Sequence, residues 1–267
     1  MPAFEPSSTL QLFDTHCHLD AAEFDAERDA LVSAAHSVGV TRILVPSVCA
    51  ANFDATLRMR QRYGCLLAFG LHPLYTPQHL DHHLALLESR LAHQHPVAVG
   101  EIGLDAFLPH SDLPAQEALF IEQLKLARQH DLPVILHMRR AADRVLKYLR
   151  RYPQAGGIAH AFNGSEQQAR EFIRLGFKLG FGGAISYSGS LRIRALAATL
   201  PLSALVLETD APDMRPQWAP GTANRPQNLA RFAAILAQLR GVSVEEIARQ
   251  TTGNAEQVFG LAALDPG

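Results

Sequence analysis

The sequence predicts an α/β fold, a (β/α)8 TIM barrel whose metal site lies at the C-terminal ends of the strands. Three observations point there. The chain has 267 residues, eight short apolar runs alternate with longer segments of helical spacing, and the residues able to do chemistry fall where those runs end. An open doubly wound sheet would show the same alternation, and the placement of the chemical residues decides for the barrel. One domain spanning 1–267 is expected, since this length suits a single barrel and 48% hydrophobic residues supply an ample core.

The expected strands are 10–15, 40–46, 65–70, 97–100, 133–138, 157–161, 178–182 and 204–209. Val40 to Val45 and Ala204 to Leu207 are nearly continuous apolar runs, as strands covered on both faces must be. Helices are expected near 26–38, 52–63, 79–94, 115–130, 140–151, 165–175 and 190–199. In 115–130 the stripe is Leu119, Phe120, Gln123, Leu124 and Ala127, with Pro114 near its start and Pro133 beyond its end. Residues 211–226 carry Pro212, Pro216, Pro220, Gly221 and Pro226 without periodicity and read as a substrate-facing loop. Helices near 226–239 and 243–250 follow, the second opened by a capping box of Ser243 and Glu246.

Composition bounds the partners. A formal net charge of −2 gives no global field for nucleic acid or an anionic membrane, so any anion site must be local. Cys17, Cys49 and Cys65 are an odd number without CxxC spacing, which fits a reducing, cytoplasmic setting. The opening Met1-Pro2-Ala3-Phe4-Glu5-Pro6 has neither a basic nor an apolar leader region, and no apolar run approaches the roughly 18 residues a membrane span needs. A monomer without membrane contact or obligate protein partner is the default expectation.

The strand ends supply His16 and His18 after the first run, His72 after the third, Glu101 after the fourth, His137 after the fifth, His160 after the sixth and Asp210 after the eighth. A period of two puts His16 and His18 on one face, where both imidazoles can reach one ion. Histidine is abundant here, thirteen in all, and a single histidine at a strand end is more often a packing or capping residue than a ligand. His36, His79, His82, His83, His93, His95, His110 and His130 read as surface or helix-end residues. Four imidazoles and two carboxylates, leaving His72 aside, are however the right number for two divalent ions in mixed nitrogen and oxygen coordination. Such a pair lowers the pKa of a bridging water and stabilises charge on both oxygens of a cleaved ester. Glu101 is the candidate bridge, and Asp210 the candidate ligand and general base. Arg139, two residues past His137, shares its face if the strand continues and could meet an anion, with a surface salt bridge as the plainer alternative.

The motifs FDTHCHLD, FGLHP, VGEIGLD, QEALFIEQLKLA with LPVILHMR, IAHAFNGS and LVLETDAP, in that order from residue 13 to 213, resemble the TatD family of metal-dependent hydrolases and deoxyribonucleases in the amidohydrolase superfamily. The tail from Thr252-Gly253-Asn254 to Phe259-Gly260 also fits. The resemblance implies that the metal ligands are His16, His18, Glu101, His137, His160 and Asp210, holding two ions drawn from Mg²⁺, Mn²⁺, Zn²⁺ or Fe²⁺. It implies a substrate phosphate near His72, and a role for Glu208 with an additional metal or the phosphate, against the plainer possibility of a buried carboxylate paired with a base. It further implies a phosphodiesterase that removes nucleotides from DNA or RNA ends in the 3′-5′ direction. Asn224-Arg225-Pro226 resembles the family's segment after the long loop. Two departures are visible: Asp213 follows Ala211-Pro212, as in the YjjV-like branch, and Ala161 follows His160 where the family often has cysteine. The added acid at the mouth opposes long nucleic acids, and no aromatic platform interleaved with basic residues is visible along the chain. The same ligands would also serve another ester or amide, such as a D-aminoacyl-tRNA ester or a metabolite lactone. A non-catalytic metal-binding protein is the remaining class, disfavoured by an intact candidate base.

Overall fold

The structure is a computed structural model that describes residues 10–107, 109 and 112–261; the N-terminal stretch Met1 to Pro6 and His110, both interpreted above, lie outside the described residues. Eight strands form one sheet in sequence order: β1 (Leu12–Asp14), β2 (Val40–Pro46), β3 (Leu66–Phe69), β4 (Ala98–Asp105), β5 (Val134–Arg139), β6 (Gly157–Ala159), β7 (Phe177–Phe181) and β8 (Leu205–Leu207). Paired strands run parallel, and helices alternate with them: α1 (Arg28–Ser37), α2 (Phe53–Tyr63), α3 (His82–Gln94), α4 (Leu113–Gln129), α5 (Ala142–Arg151), α6 (Glu166–Arg174) and α7 (Leu191–Thr199), with α8 (Leu229–Arg240) and α9 (Val244–Phe259) after the last strand. Parallel strands cannot be joined by hairpins, so each crossover is a helix, and this order is that of the TIM barrel. Among the described residues no helix is long and apolar enough to cross a membrane.

The described chain packs as two compact units, residues 10–45, 180–257 and 261 in one, residues 46–179 and 258–260 in the other. In the first, β1 lies beside β8: the Thr15 amide and hydroxyl both donate to the Leu207 carbonyl, at 3.1 and 3.0 Å. The helix expected to stop near 250 runs on to Phe259 and carries Thr252-Gly253-Asn254 inside it. Gly253 reads as a helix stop in the sequence, but a helical glycine costs only about 1 kcal/mol and tertiary bonds outweigh it. Thr252 donates to the Gln11 carbonyl at 2.9 Å, and the Asn254 amide donates to the carbonyls of Leu202 and Leu205 at 2.8 and 2.7 Å. These bonds anchor α9 to the backbone at the entrances of β1 and β8. The long loop is likewise pinned. Buried Asn224 donates to the Thr209 carbonyl at 2.7 Å, and Trp218 packs on Phe232 beneath the Arg231 guanidinium.

In the second unit β4 is longer than expected. It continues through Glu101 to Asp105, so Glu101 lies within the strand and not after it. Gly100 and Gly103 resemble a turn signal, yet both serve close approach to β5. At Gly103, φ is 141° and an added Cβ would sit 2.0 Å from the His137 carbonyl oxygen. Pairing with β5 is irregular between Val99 and Ile102 and then resumes with Gly103 opposite His137 and Asp105 opposite Arg139. All eight residues of β4 are buried. Asp112 caps α4 by accepting from the Ala115 amide at 3.0 Å, and Pro114 needs no amide partner in that first turn.

Replacing Asn254 with alanine removes the donor to two strand-entrance carbonyls. The expected loss is about 1–3 kcal/mol of unfolding free energy, read as a lowered urea midpoint at unchanged slope.

Candidate metal centre

In the first unit the exits of β1 and β8 are stitched in both directions. The Asp210 amide donates to the His16 carbonyl at 2.7 Å, and the His18 amide donates to the Ala211 carbonyl at 2.8 Å. Asp210 itself sits at φ 56°, a left-handed conformation that a non-glycine residue adopts only when its surroundings hold it there. The result is a tight trio. The Nε2 atoms of His16 and His18 are 3.2 Å apart, and each lies 3.6–3.7 Å from Asp210 Oδ1. Ligands about 2.0–2.2 Å from a common ion lie roughly 3–3.6 Å from one another, so these separations suit a shared cation. The donor chemistry agrees: two imidazole nitrogens and one carboxylate oxygen are acceptable to Zn²⁺, Mn²⁺ or Fe²⁺.

Beneath this trio lies Asp14, fully buried and not among the expected ligands. Its Oδ1 accepts from the Thr209 amide at 2.9 Å and its Oδ2 from the Thr209 hydroxyl at 2.6 Å. Burial pushes the Asp14 carboxyl up to about 8, against the pull of these bonds in the other direction. Asp14 and Thr209 each precede a predicted ligand, by two residues and by one. Their pairing therefore fixes where His16 and Asp210 leave their strands.

In the second unit Glu101 is the hub. Its Oε1 lies 2.9 Å from His137 Nδ1, 3.3 Å from His72 Nε2 and 4.0 Å from His160 Nε2. The other nitrogen of His137, Nε2, lies 2.9 Å from Asp105 Oδ2. Burial pulls the His137 pKa down, but the bonds to Asp105 and Glu101 outweigh it and the net shift is upward. The matching carboxyl is held low: burial raises the Asp105 pKa, and the hydrogen bond to His137, the Phe107 amide and nearby positive charge more than reverse it. A histidine whose second nitrogen meets a carboxylate is the usual arrangement behind a metal ligand, since it fixes the ring and raises its basicity. Glu101 and His137 with His72 form a donor group whose atoms lie within 4.8 Å of one another.

His72 differs from the other imidazoles. Its Nδ1 accepts from the Leu74 amide at 3.1 Å, so the neutral ring carries its hydrogen on Nε2, facing Glu101. In that tautomer the ring is a hydrogen-bond donor towards Glu101, 3.3 Å away. His79, expected on the surface, is half-buried and places Nε2 3.1 Å from the His72 carbonyl oxygen. Two buried glutamines of α4 complete the support. Gln123 accepts from the Leu71 amide at 2.7 Å and donates to the Leu71 carbonyl at 3.0 Å, while Gln116 accepts from the Asp105 amide at 2.8 Å. Gln123 lies on the apolar stripe of its helix, and a glutamine in that position was the available sign of a buried polar role.

The remaining predicted residues are placed less centrally. Glu208 is fully buried, its carboxylate filling the space a Cβ at Gly180 would need, 2.2 Å from Oε2. Arg139 is exposed at the end of β5, with its guanidinium 3.5 Å from the centre of the Phe107 ring and no ion pair among the described residues.

Removing the carboxylate behind His137 tests this geometry. Asp105→Ala is expected to weaken divalent-ion binding about 10- to 100-fold, measured by calorimetric titration of the apoprotein, with the circular dichroism spectrum retained.

Residues 13–260 match the family model described as TatD related DNase. The chain is 42% identical to the metal-dependent hydrolase YjjV of Escherichia coli K12 over 256 residues, covering 94% of this chain and 98% of that one. The crystal structure of E. coli YjjV superposes with a TM-score of 0.90 at 41% identity, over 94% of this chain and 98% of that chain. A protein of Cronobacter sakazakii named 3'-5' ssDNA/RNA exonuclease TatD is 33% identical over 258 residues, covering 93% of this chain and 97% of that one. With the site's donors in place and a match over most of its length, the chain belongs to the TatD family of metal-dependent hydrolases.

Proposed function

We propose that this metal-dependent hydrolase works with two divalent ions and removes nucleotides from the 3′ ends of single-stranded DNA or RNA. What supports the two-ion reading is the number and type of the donors, His16, His18 and Asp210 in one unit and Glu101 with His137 and His160 in the other, four imidazoles and two carboxylates in all. Each cluster is suited to one ion; the bridging role that the resemblance assigns to Glu101 belongs to the same proposal. Bound ions would supply Lewis acidity to the phosphoryl oxygens and bring the pKa of water towards neutrality.

The chain's own groups do the rest. Asp210 orients the attacking water and takes its proton as the new P–O bond forms. The bond from phosphorus to the 3′ oxygen of the penultimate nucleotide breaks, and that oxygen leaves as a hydroxyl after taking a proton from solvent. Arg139 at the end of β5 offers a guanidinium to a phosphate, and His72, whose N–H is directed at Glu101, lies beside the place the resemblance assigns to that group. Glu208 is a carboxylate and so would meet phosphate only through a cation. The named exonuclease activity of the Cronobacter relative supports nucleic acid as the substrate class.

The test is hydrolysis of 5′-labelled single strands by wild type with Mg²⁺, Mn²⁺ or Zn²⁺. Stepwise shortening from the 3′ end is expected, with kcat/KM lowered about 100- to 10,000-fold in Asp210→Ala and in His16→Ala. Activity that survives both substitutions, or a preference for carboxyl esters over phosphodiesters, overturns the reading. A chelator is expected to lower the Tm of wild type, and re-addition of the ion to restore it, because an ion bound only to the native state stabilises it.

A further inference from the structure

Beyond the residues that would hold ions, the second unit carries an aromatic and cationic platform formed by Phe107, Arg139 and Arg140. Phe107 is 39% exposed just after β4. The Arg139 guanidinium lies 3.5 Å and that of Arg140 4.8 Å from the centre of its ring. Both arginines are exposed, and among the described residues neither forms an ion pair. Arg140 sits at φ 55°, a left-handed backbone for a residue with a long side chain, and this turn follows directly on β5. Stability alone gives little reason to gather two guanidiniums on one exposed ring, where each keeps its charge beside the other and Arg139 alone has a nearby carboxylate, Asp105, to offset it.

The platform is coupled to the donor cluster through few bonds. The Phe107 amide donates to Asp105 Oδ1 at 2.8 Å, and the other oxygen of the same carboxylate meets His137. The Ala106 amide donates to the Arg139 carbonyl at 2.9 Å, locking the two strand exits together. Arg139 lies two residues beyond His137 on one strand, about 7 Å along it. A chain entering towards His137 therefore passes a ring and two cations within one nucleotide's length.

We infer that Phe107, Arg139 and Arg140 form a nucleotide subsite, in which an unpaired base stacks on the Phe107 and guanidinium surface while the adjoining phosphate meets Arg140. This rests on the nucleic-acid reading above and deepens it, by making single-stranded nucleotides with intact bases the ligand. Stacking is indifferent to base identity because every base has a π face, so the subsite selects for a free strand and not for a sequence. The local charge also answers how a chain of net charge −2 can hold a polyanion.

The test is binding, which separates the subsite from catalysis. A 5′-fluorescein phosphorothioate oligonucleotide of about six thymidines, and an abasic oligonucleotide of equal length, are titrated by anisotropy against the ion-loaded protein. Phe107→Ala is expected to weaken the thymidine strand about 5- to 150-fold and the abasic strand less than about twofold, with Phe107→Trp restoring binding. Arg140→Ala is expected to weaken both strands and to lower the salt slope by about one. Equal effects of Phe107→Ala on both strands, no effect on either, or no oligonucleotide binding by wild type would overturn the subsite. Binding with the expected pattern but no hydrolysis under any ion would instead leave the subsite standing and remove the exonuclease reading.

Discussion

The pairing of Asp14 with Thr209 is the constraint on which the first half of the site depends. A carboxyl group without solvent needs partners, and Thr209 supplies two, from its amide and its hydroxyl. Because the two residues belong to the exits of β1 and β8, satisfying one polar group also sets the register in which His16, His18 and Asp210 emerge. The second unit repeats the logic with different parts. Asp105 is fixed by the Gln116 amide oxygen on its own N–H, accepts from Phe107, and meets His137. In each case a buried aspartate that is not among the expected ligands decides where a ligand points.

This division of labour explains why the imidazoles can be brought so close. Two Nε2 atoms 3.2 Å apart, with a carboxylate nearby, form an arrangement that relaxes if its backbone is free to move. The backbone is not free, since the Asp210 amide donates to the His16 carbonyl and the His18 amide to the Ala211 carbonyl, one hydrogen bond in each direction. The same holds for the left-handed Asp210, whose amide is held by its hydrogen bond to the His16 carbonyl. Preorganisation of this kind lets the donors be ready before any ion arrives.

The barrel order was legible because both of its signals are local: apolar runs of strand length and helical stripes between them. That His16, His18 and Asp210 come together, and Glu101 with His137, was legible because strand ends are where such folds display their polar residues. The run of β4 to Asp105 was not, since Gly100 and Gly103 carry the same local signal in a turn and in a strand pressed against its neighbour. Nor was the extent of α9, where long-range bonds from Thr252 and Asn254 outweigh a glycine. Asp14, Asp105 and the α4 glutamines escaped for a related reason: their value depends on partners far away in the chain. The Phe107 platform is the plainest case. Its ring and its guanidiniums are separated by more than thirty residues along the chain and meet only because Asp105 pairs with Arg139 across two strands.

The composition of the two units has a consequence for how this protein is made. Residues 46–179, which hold Glu101, His137 and His160, are nearly continuous in sequence and can begin to pack while synthesis is under way. Asp14, His16 and His18 are made before that segment and must wait for Thr209 and Asp210, and then for Asn254 to secure β8. Until then an apolar strand and two unpaired imidazoles remain exposed on a nascent chain. The corner that gathers His16, His18 and Asp210 is thus among the last parts of the molecule that can form, although two of its three residues are made first.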